Sequence, residues 1–551
     1  MPNTPLASIA PLPHRRRCAL GELTVLRVGL SFLSLLGPFC VTDLPPLTDY
    51  PNHLARYWLI GGGVQDSAMS AFFRIDWTNA VTNVGVDRVV ALLSPPLSGL
   101  VVGHAATVVA AVLPPLGALA LCYAVNRRVT ALQALIPLAA WSTTFLMGFV
   151  NFQIGLGLAL LFASIDPLVQ PRLWRGAVAM RPLLGLILGV DHMFALLFYA
   201  VLLAGLAMGP APLTKGRWSE HRARVGRAAL AAAWCLIPLA IVAFPGNVMP
   251  GAQPVIGDLT HSKIPQALPG KLATLFTPLA SYNVVQEVGL AAILIALFAR
   301  LNQRRVLNTH TGLMVAVVGL FALAVLTPGS SPEAAWLDRR FPIMALLSGL
   351  AAVQLRADVG ARFERRLGAA CLGLVCLQSA WVGWNWRAAR QDQREVRLVL
   401  ANVPAGAAIL PVQHVPTLSR KWFGPAGRYL LGGAEPTFRH LAAISVPMRR
   451  AFVPMLFSAK GLQPLRVRGI WDSVVEHNGG ELASVNALIR PRKAGEAVYL
   501  DGWRDRFDYV LVLNADMPDG AGPFRPPPEL TLVSTTSFAQ LWRVIRLGAR
   551  R

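Results

Sequence analysis

The residue types best suited to chemistry lie in the stretch Val41 to Ile60, VTDLPPLTDYPNHLARYWLI. Asp49 and His53 stand four apart, so on a helix they share nearly one face. A carboxylate and an imidazole so placed make a general base with a group to orient it, or two donors for a divalent cation such as Mg or Mn. The plain alternative is that Asp49 only caps the helix, because Asp is favoured at that position. Asp43, six residues earlier, is a second acid. A further cluster, Asp338-Arg339-Arg340, places two guanidinium groups side by side, and guanidinium binds phosphate bidentately. Arg339 and Arg340 are therefore the candidate phosphate holders, against the alternative that they pair with Asp338 or with ordinary anionic lipid. Asn151 in GFVNFQIGLGL, where the alternative is a tight helical hairpin, and Asp191-His192 in GVDHMF are secondary candidates, as is Asp338.

The elements that must carry these residues are membrane helices. The chain has 551 residues, 54% hydrophobic and 14% charged, with mean hydropathy +0.49. A soluble domain carries about 25% charge. The basic opening runs into a long apolar stretch with no small-residue cleavage site, so the first span is expected to be retained rather than cleaved as a signal peptide. Runs long enough to cross a bilayer, about 20 residues each, number about eleven, near 22–42, 99–125, 130–147, 149–166, 176–190, 192–209, 228–246, 284–300, 309–327, 341–355 and 367–384. Prolines Pro45, Pro46 and Pro51 stop the first span, and a helix from about Tyr50 follows, its apolar side suited to a membrane interface. FFRIDW at 72–77 reads as irregular, and 87–100 as a second interfacial helix ended by Pro95-Pro96.

Every second loop is rich in Lys and Arg, from Arg15-Arg16-Arg17 to Arg356–Arg366, which accounts for most of the net charge of +23 without nucleic acid. That alternation places the N-terminus in the cytoplasm of a bacterial inner membrane and the C-terminus in the periplasm. The loops 43–98, 247–283 and 328–340, the last holding Glu333, then share one side with everything after residue 384. From Asn385 charges become frequent. AAILPV, YVLVLN and LTLVSTTSFAQLWRVI read as strands and 439–461 as a helical stretch suited to docking on the membrane, making residues 385–551 a periplasmic α/β domain beside a transmembrane domain, 1–384. There Lys and Arg exceed Asp and Glu by about ten, which suits anionic headgroups or an acidic glycan. The six cysteines have no metal spacing and read as small buried hydrophobes. No Gly-rich phosphate loop follows a strand, so a donor would come from the lipid side.

This order of parts, together with DYPNHLAR, GFVNFQIGLGL, LDRRFP and FDYVLVLN, resembles the GT-C superfamily of integral-membrane glycosyltransferases. The resemblance implies a polyprenyl-phosphate sugar as donor, a glycan, lipid or protein acceptor, and an acid early in the first outer loop, Asp49 or else Asp43, as base or metal-binding group. Many members have an acid pair there, whereas this chain has Asp43, Asp49 and His53. Two other readings stand beside it: a transporter or flippase of lipid-linked sugars, whose ionisable groups would sit at the bilayer midplane, and a non-catalytic membrane component of envelope-polysaccharide assembly.

Overall fold

The computed structural model describes residues 14–78, 80–169, 173–213, 218–244, 268–329, 336–460 and 462–546. Glu333, and much of the loop 247–283, lie outside the described residues. Each apolar run drawn above carries helix. Among the described residues, six helical segments are long and apolar enough to cross a membrane: Gly21–Cys40, Gly99–Asn126, Val150–Leu168, Trp218–Ala243, Val284–Gln303 and Ala361–Val399. Ala131–Leu146, Met193–Met208 and Thr311–Leu326 are shorter apolar helices. The first of these is mostly a 3-10 helix, Ala131–Trp141, with Pro137 inside it, where the missing N–H weakens α-helical pairing. Gly117 and Gly157 let two spans approach backbone to backbone: a Cβ on Gly117 would lie 2.6 Å from the Gly157 carbonyl oxygen.

Contacts sort the connecting loops into two ends. At one end Leu307–Thr309 pairs antiparallel with Val353–Leu355, Arg128 meets Glu364 at 4.0 Å, and Arg27 donates to the Arg365 carbonyl at 2.7 Å. At the other, Thr48 N–H donates to Leu146 O, Val84 N–H to Val190 O, and Thr143 Oγ1 to the carbonyls of Thr277 and Ala280. The candidate residues all belong to this second end.

The second end is built together with the C-terminal region. Ala361–Val399 is one helix of 39 residues, about 58 Å at 1.5 Å per residue. The change of composition at Asn385 falls inside it, so its last turns leave the apolar bundle and enter the C-terminal region. There Arg428 clamps Asp392 of that helix and Asp516 at 2.7 Å each. The sheet runs Leu530–Thr535, Ala539–Val544, Tyr509–Leu513, Ile409–Gln413, Ala483–Ser484; the first three pair antiparallel, and Ile409–Gln413 lies parallel to both its neighbours. Its central strands are the apolar runs ILPV and YVLVL, buried as expected of parallel pairing.

Three local expectations differ from what forms. The helix Tyr50–Ile60 does not lay its apolar side in a membrane interface: nine of its eleven residues are buried in protein, because the C-terminal region packs over it. FFRIDW is not irregular: Phe73–Ile75 is a strand paired antiparallel with Leu465–Val467. Its partner lies far along the chain, so no local pattern marks it. Among the described residues the stretch 439–461 is helical only at Leu441–Ile444 and Ser445–Arg449, and most of its apolar side chains, Met448 and Phe457 excepted, are buried in protein, not laid on a membrane. One continuous apolar core joins Leu54, Tyr57 and Phe72 of the first loop to Ile444, Phe452 and Leu456 of the C-terminal region.

Candidate active site

Asp49 precedes the helix Tyr50–Ile60, but its side chain caps nothing there. Its backbone is fixed instead: Asp49 N–H donates to Met147 O at 2.9 Å. The opposing turn approaches this closely because Gly148 adopts φ +89, where a Cβ would stand 3.0 Å from the amides of Asp49 and Tyr50. The carboxylate is left for other partners. Oδ1 lies 3.4 Å from Nε2 of His440, which comes from the C-terminal region.

The tautomer of His440 follows from its other neighbour. Phe457 N–H donates to Asn52 Oδ1 at 2.9 Å, and Asn52 Nδ2 donates to Met455 O at 2.6 Å, which fixes the amide's orientation. Asn52 Nδ2 then faces His440 Nδ1 at 3.5 Å as a donor. A neutral imidazole accepting at Nδ1 carries its proton on Nε2, the nitrogen that faces Asp49. Burial holds His440 below the usual histidine range, and Asp49 pulls it partly back. Gly479, at φ +82, makes room for the ring: a Cβ there would lie 2.8 Å from His440 Cε1.

Arg340 feels the charge of the same acid. Its guanidinium sits 5.1, 5.4 and 5.0 Å from the ring centres of Phe149, Phe152 and Phe194, with Nη1 2.7 Å from His192 Nε2. Burial pushes Arg340 down to about 10, and the negative charge of Asp49 opposes that shift. Arg339 lies 4.0 Å over the Trp336 ring and interacts with Glu435. Glu435 itself is pushed up by burial, is paired with Arg439, and also feels Asp49. A carboxylate, an imidazole and two aromatic-walled guanidinium groups thus meet where the first loop, the turn Asp338–Arg340 and the C-terminal region join.

No protein-family model matches this sequence, and no curated protein matches it. Among solved structures, the chain is similar to the crystal structure of ArnT from Cupriavidus metallidurans in the apo state. The identity is 12%, over 95% of this chain and 98% of that one, with a TM-score of 0.39.

The remaining candidates divide. His53 lies beside this group but its ring packs on Tyr57 and Phe457, centroids 6.0 and 5.1 Å away, and its Nδ1 is buried with no partner among the described residues. Burial, then Arg56 and His440, hold it well below the usual histidine range. Asp338 is buried and taken by Lys271 at 2.7 Å, so it anchors the turn that presents both arginines, and Arg339 also feels its charge. Asp43 is half exposed and pairs with Arg397 of the long helix at 2.6 Å, apart from Asp49. Asn151 accepts from Val86 N–H and donates to Asn83 O, so it pins the start of the helix Gly85–Leu93. Asp191 is buried in a cradle of Gly85 and Gly155, where a Cβ would meet its oxygens at 2.1 and 2.6 Å.

Among the described residues, no three of His, Cys, Asp and Glu come together as a donor set for a divalent cation. Arg340 already supplies positive charge beside Asp49. His440, Asn52 and Glu435 were missed from sequence because nothing in their local spacing ties them to residue 49.

Proposed function

We propose that this chain is a membrane glycosyltransferase of GT-C type, transferring a sugar from a polyprenyl-phosphate donor to an envelope glycan, lipid or protein acceptor at the periplasmic face of a bacterial inner membrane. What supports this is one juxtaposition: the uncapped Asp49 carboxylate, held by His440, within electrostatic reach of the buried Arg340. The chemistry follows from these groups. Asp49 takes the proton from an acceptor hydroxyl as that oxygen bonds to the anomeric carbon. The bond from that carbon to the phosphate oxygen breaks, and the departing polyprenyl phosphate carries the electron pair. Arg340 and Arg339 stabilise that charge in a site walled by Phe149, Phe152 and Trp336, where low dielectric strengthens the interaction.

The test uses the full chain in nanodiscs with polyprenyl-phosphate sugars, following release of polyprenyl phosphate. Asp49→Asn keeps size and hydrogen bonding but not basicity, and should lower transfer by about 10²–10⁴ with unchanged thermal unfolding. Full activity in that variant would remove Asp49 from the chemistry. Arg340→Lys should retain charge but lose the fork geometry and weaken donor use, read as a rise in KM for the donor.

A further inference from the structure

The turn Leu418–Trp422 and the following Phe423 stand out on the C-terminal region. Leu418 is 62%, Trp422 52% and Phe423 89% exposed. Leu418 and Trp422 are four apart on one helical turn, so they present one apolar edge, with Arg420 and Lys421 between them.

The position of this edge along the bundle can be read from its contacts. Gly427 packs on the long helix at Asn385, where a Cβ would lie 2.3 Å from the Asn385 carbonyl oxygen. Leu431 N–H donates to Ser281 O at 3.1 Å, and Gly432 sits against Val284, the first residue of the apolar helix Val284–Gln303. That helix meets the long helix near its start, where Gln286 donates to Gln378 at 2.5 Å. On the first, Val285 is 82% exposed, an apolar face suited to lipid. On the second, Trp381 stacks on Trp384 at 5.2 Å just where the apolar run ends and Arg387 and Arg390 begin. Tryptophan collects where hydrocarbon gives way to headgroups. A Cβ on Gly432 would also lie 3.5 Å from the Trp422 ring, so the exposed edge stands beside the start of the apolar helix Val284–Gln303, level with the end of the long helix's apolar run.

We infer that Leu418, Trp422 and Phe423 insert into the bilayer interface while Arg420 and Lys421 meet anionic headgroups, so that the C-terminal region is held to the membrane at a second place besides the long helix. Apolar side chains beside basic ones at this height match an anionic lipid surface in both properties. This inference needs the bundle to span a membrane but not the transferase reading.

The test places p-benzoylphenylalanine at position 423 of the full chain in nanodiscs containing phosphatidylglycerol. Irradiation should yield lipid adducts by mass spectrometry. Adducts between two copies of the chain in place of lipid adducts would overturn the inference. Independently, a nitroxide at 423, in a chain whose native cysteines are replaced, should collide with oxygen several-fold more than with a water-soluble nickel chelate, and a nitroxide at Asp501 should show the reverse. Equal nickel access at both positions would also overturn it. Replacing phosphatidylglycerol by phosphatidylcholine, or Arg420 and Lys421 by Glu, should lower the oxygen preference at 423.

Discussion

An aspartate before a helix ordinarily spends its carboxylate on the free N–H groups of the first turn. Asp49 does not, and that difference separates a possible base from a cap. Its partner is His440 rather than His53, although His53 is the histidine that sequence spacing pairs with it. Four-residue spacing predicts a shared face, and His53 does follow Asp49 on the helix, but its ring is claimed by Tyr57 and Phe457. A histidine nearly four hundred positions away cannot be found by periodicity. If His440 positions Asp49, His440→Ala should lower kcat by about ten- to a hundred-fold, the worth of a hydrogen bond to a charged group, with little change in KM. His440→Gln, which keeps a donor, should recover part of it. Burial also gives both histidines a stability signature. Each has a folded pKa below its unfolded one, so the unfolded chain binds more protons just under pH 6.5. Their contribution is intact above that value and is lost as pH falls below it, by up to about 1.4 kcal/mol per pH unit for each. Thermal unfolding followed between about pH 5 and 8 should therefore be less acid-sensitive in His53→Gln than in the parent chain.

The helix Tyr50–Ile60 carries Asp49, Asn52 and His53, so its seating decides the geometry of all three. It is seated by Arg56, which forms a two-pronged pair with Asp87 of the helix Gly85–Leu93 at 2.6 and 3.0 Å, both side chains fully buried. Sequence reading found both helices, because proline and apolar periodicity are local signals, but it put the apolar side of the first at a membrane interface when that side is buried in protein. It did not find the pair, because the spacing of 31 residues crosses a loop. The strand Phe73–Ile75 was missed for the same reason, and the helical stretch at 439–461 was drawn too long because its apolar run serves burial rather than helix. Removing one member of a buried pair leaves the other charge unpaired, at a cost of about 3–5 kcal/mol. Asp87→Asn and Arg56→Met should each lower unfolding stability by that order, and the double variant should lose less than the sum. Strictly additive losses would show that the two side chains do not depend on one another.

At the scale of the whole molecule, alternation of basic and apolar segments was the strongest signal in the sequence. The loops that it grouped do gather at common ends of the bundle: 126–130, 304–309 and 353–365 at one, the first loop and the C-terminal region at the other. The reason is that charge in a loop is a property of one short segment, readable without its partners. The assembly of the site was not readable in that way, since it needs the first loop, the turn Asp338–Arg340 and residues 435–457 to fold against each other. Arg127, Arg128, Arg304, Arg305, Arg356 and Arg362 crowd the first end, and short loops so charged are retained in the cytoplasm. The opposite end, with Asp49 and Arg340, should then face the periplasm. Cysteines introduced at Asp358 and Asp501, both exposed and at opposite ends, distinguish the orientations when labelling is measured against the parent chain. A membrane-impermeant maleimide added to intact spheroplasts should label position 501 at once and position 358 only after permeabilisation. The reverse pattern would put Asp49 on the side where polyprenyl-phosphate sugars on the periplasmic leaflet cannot reach it.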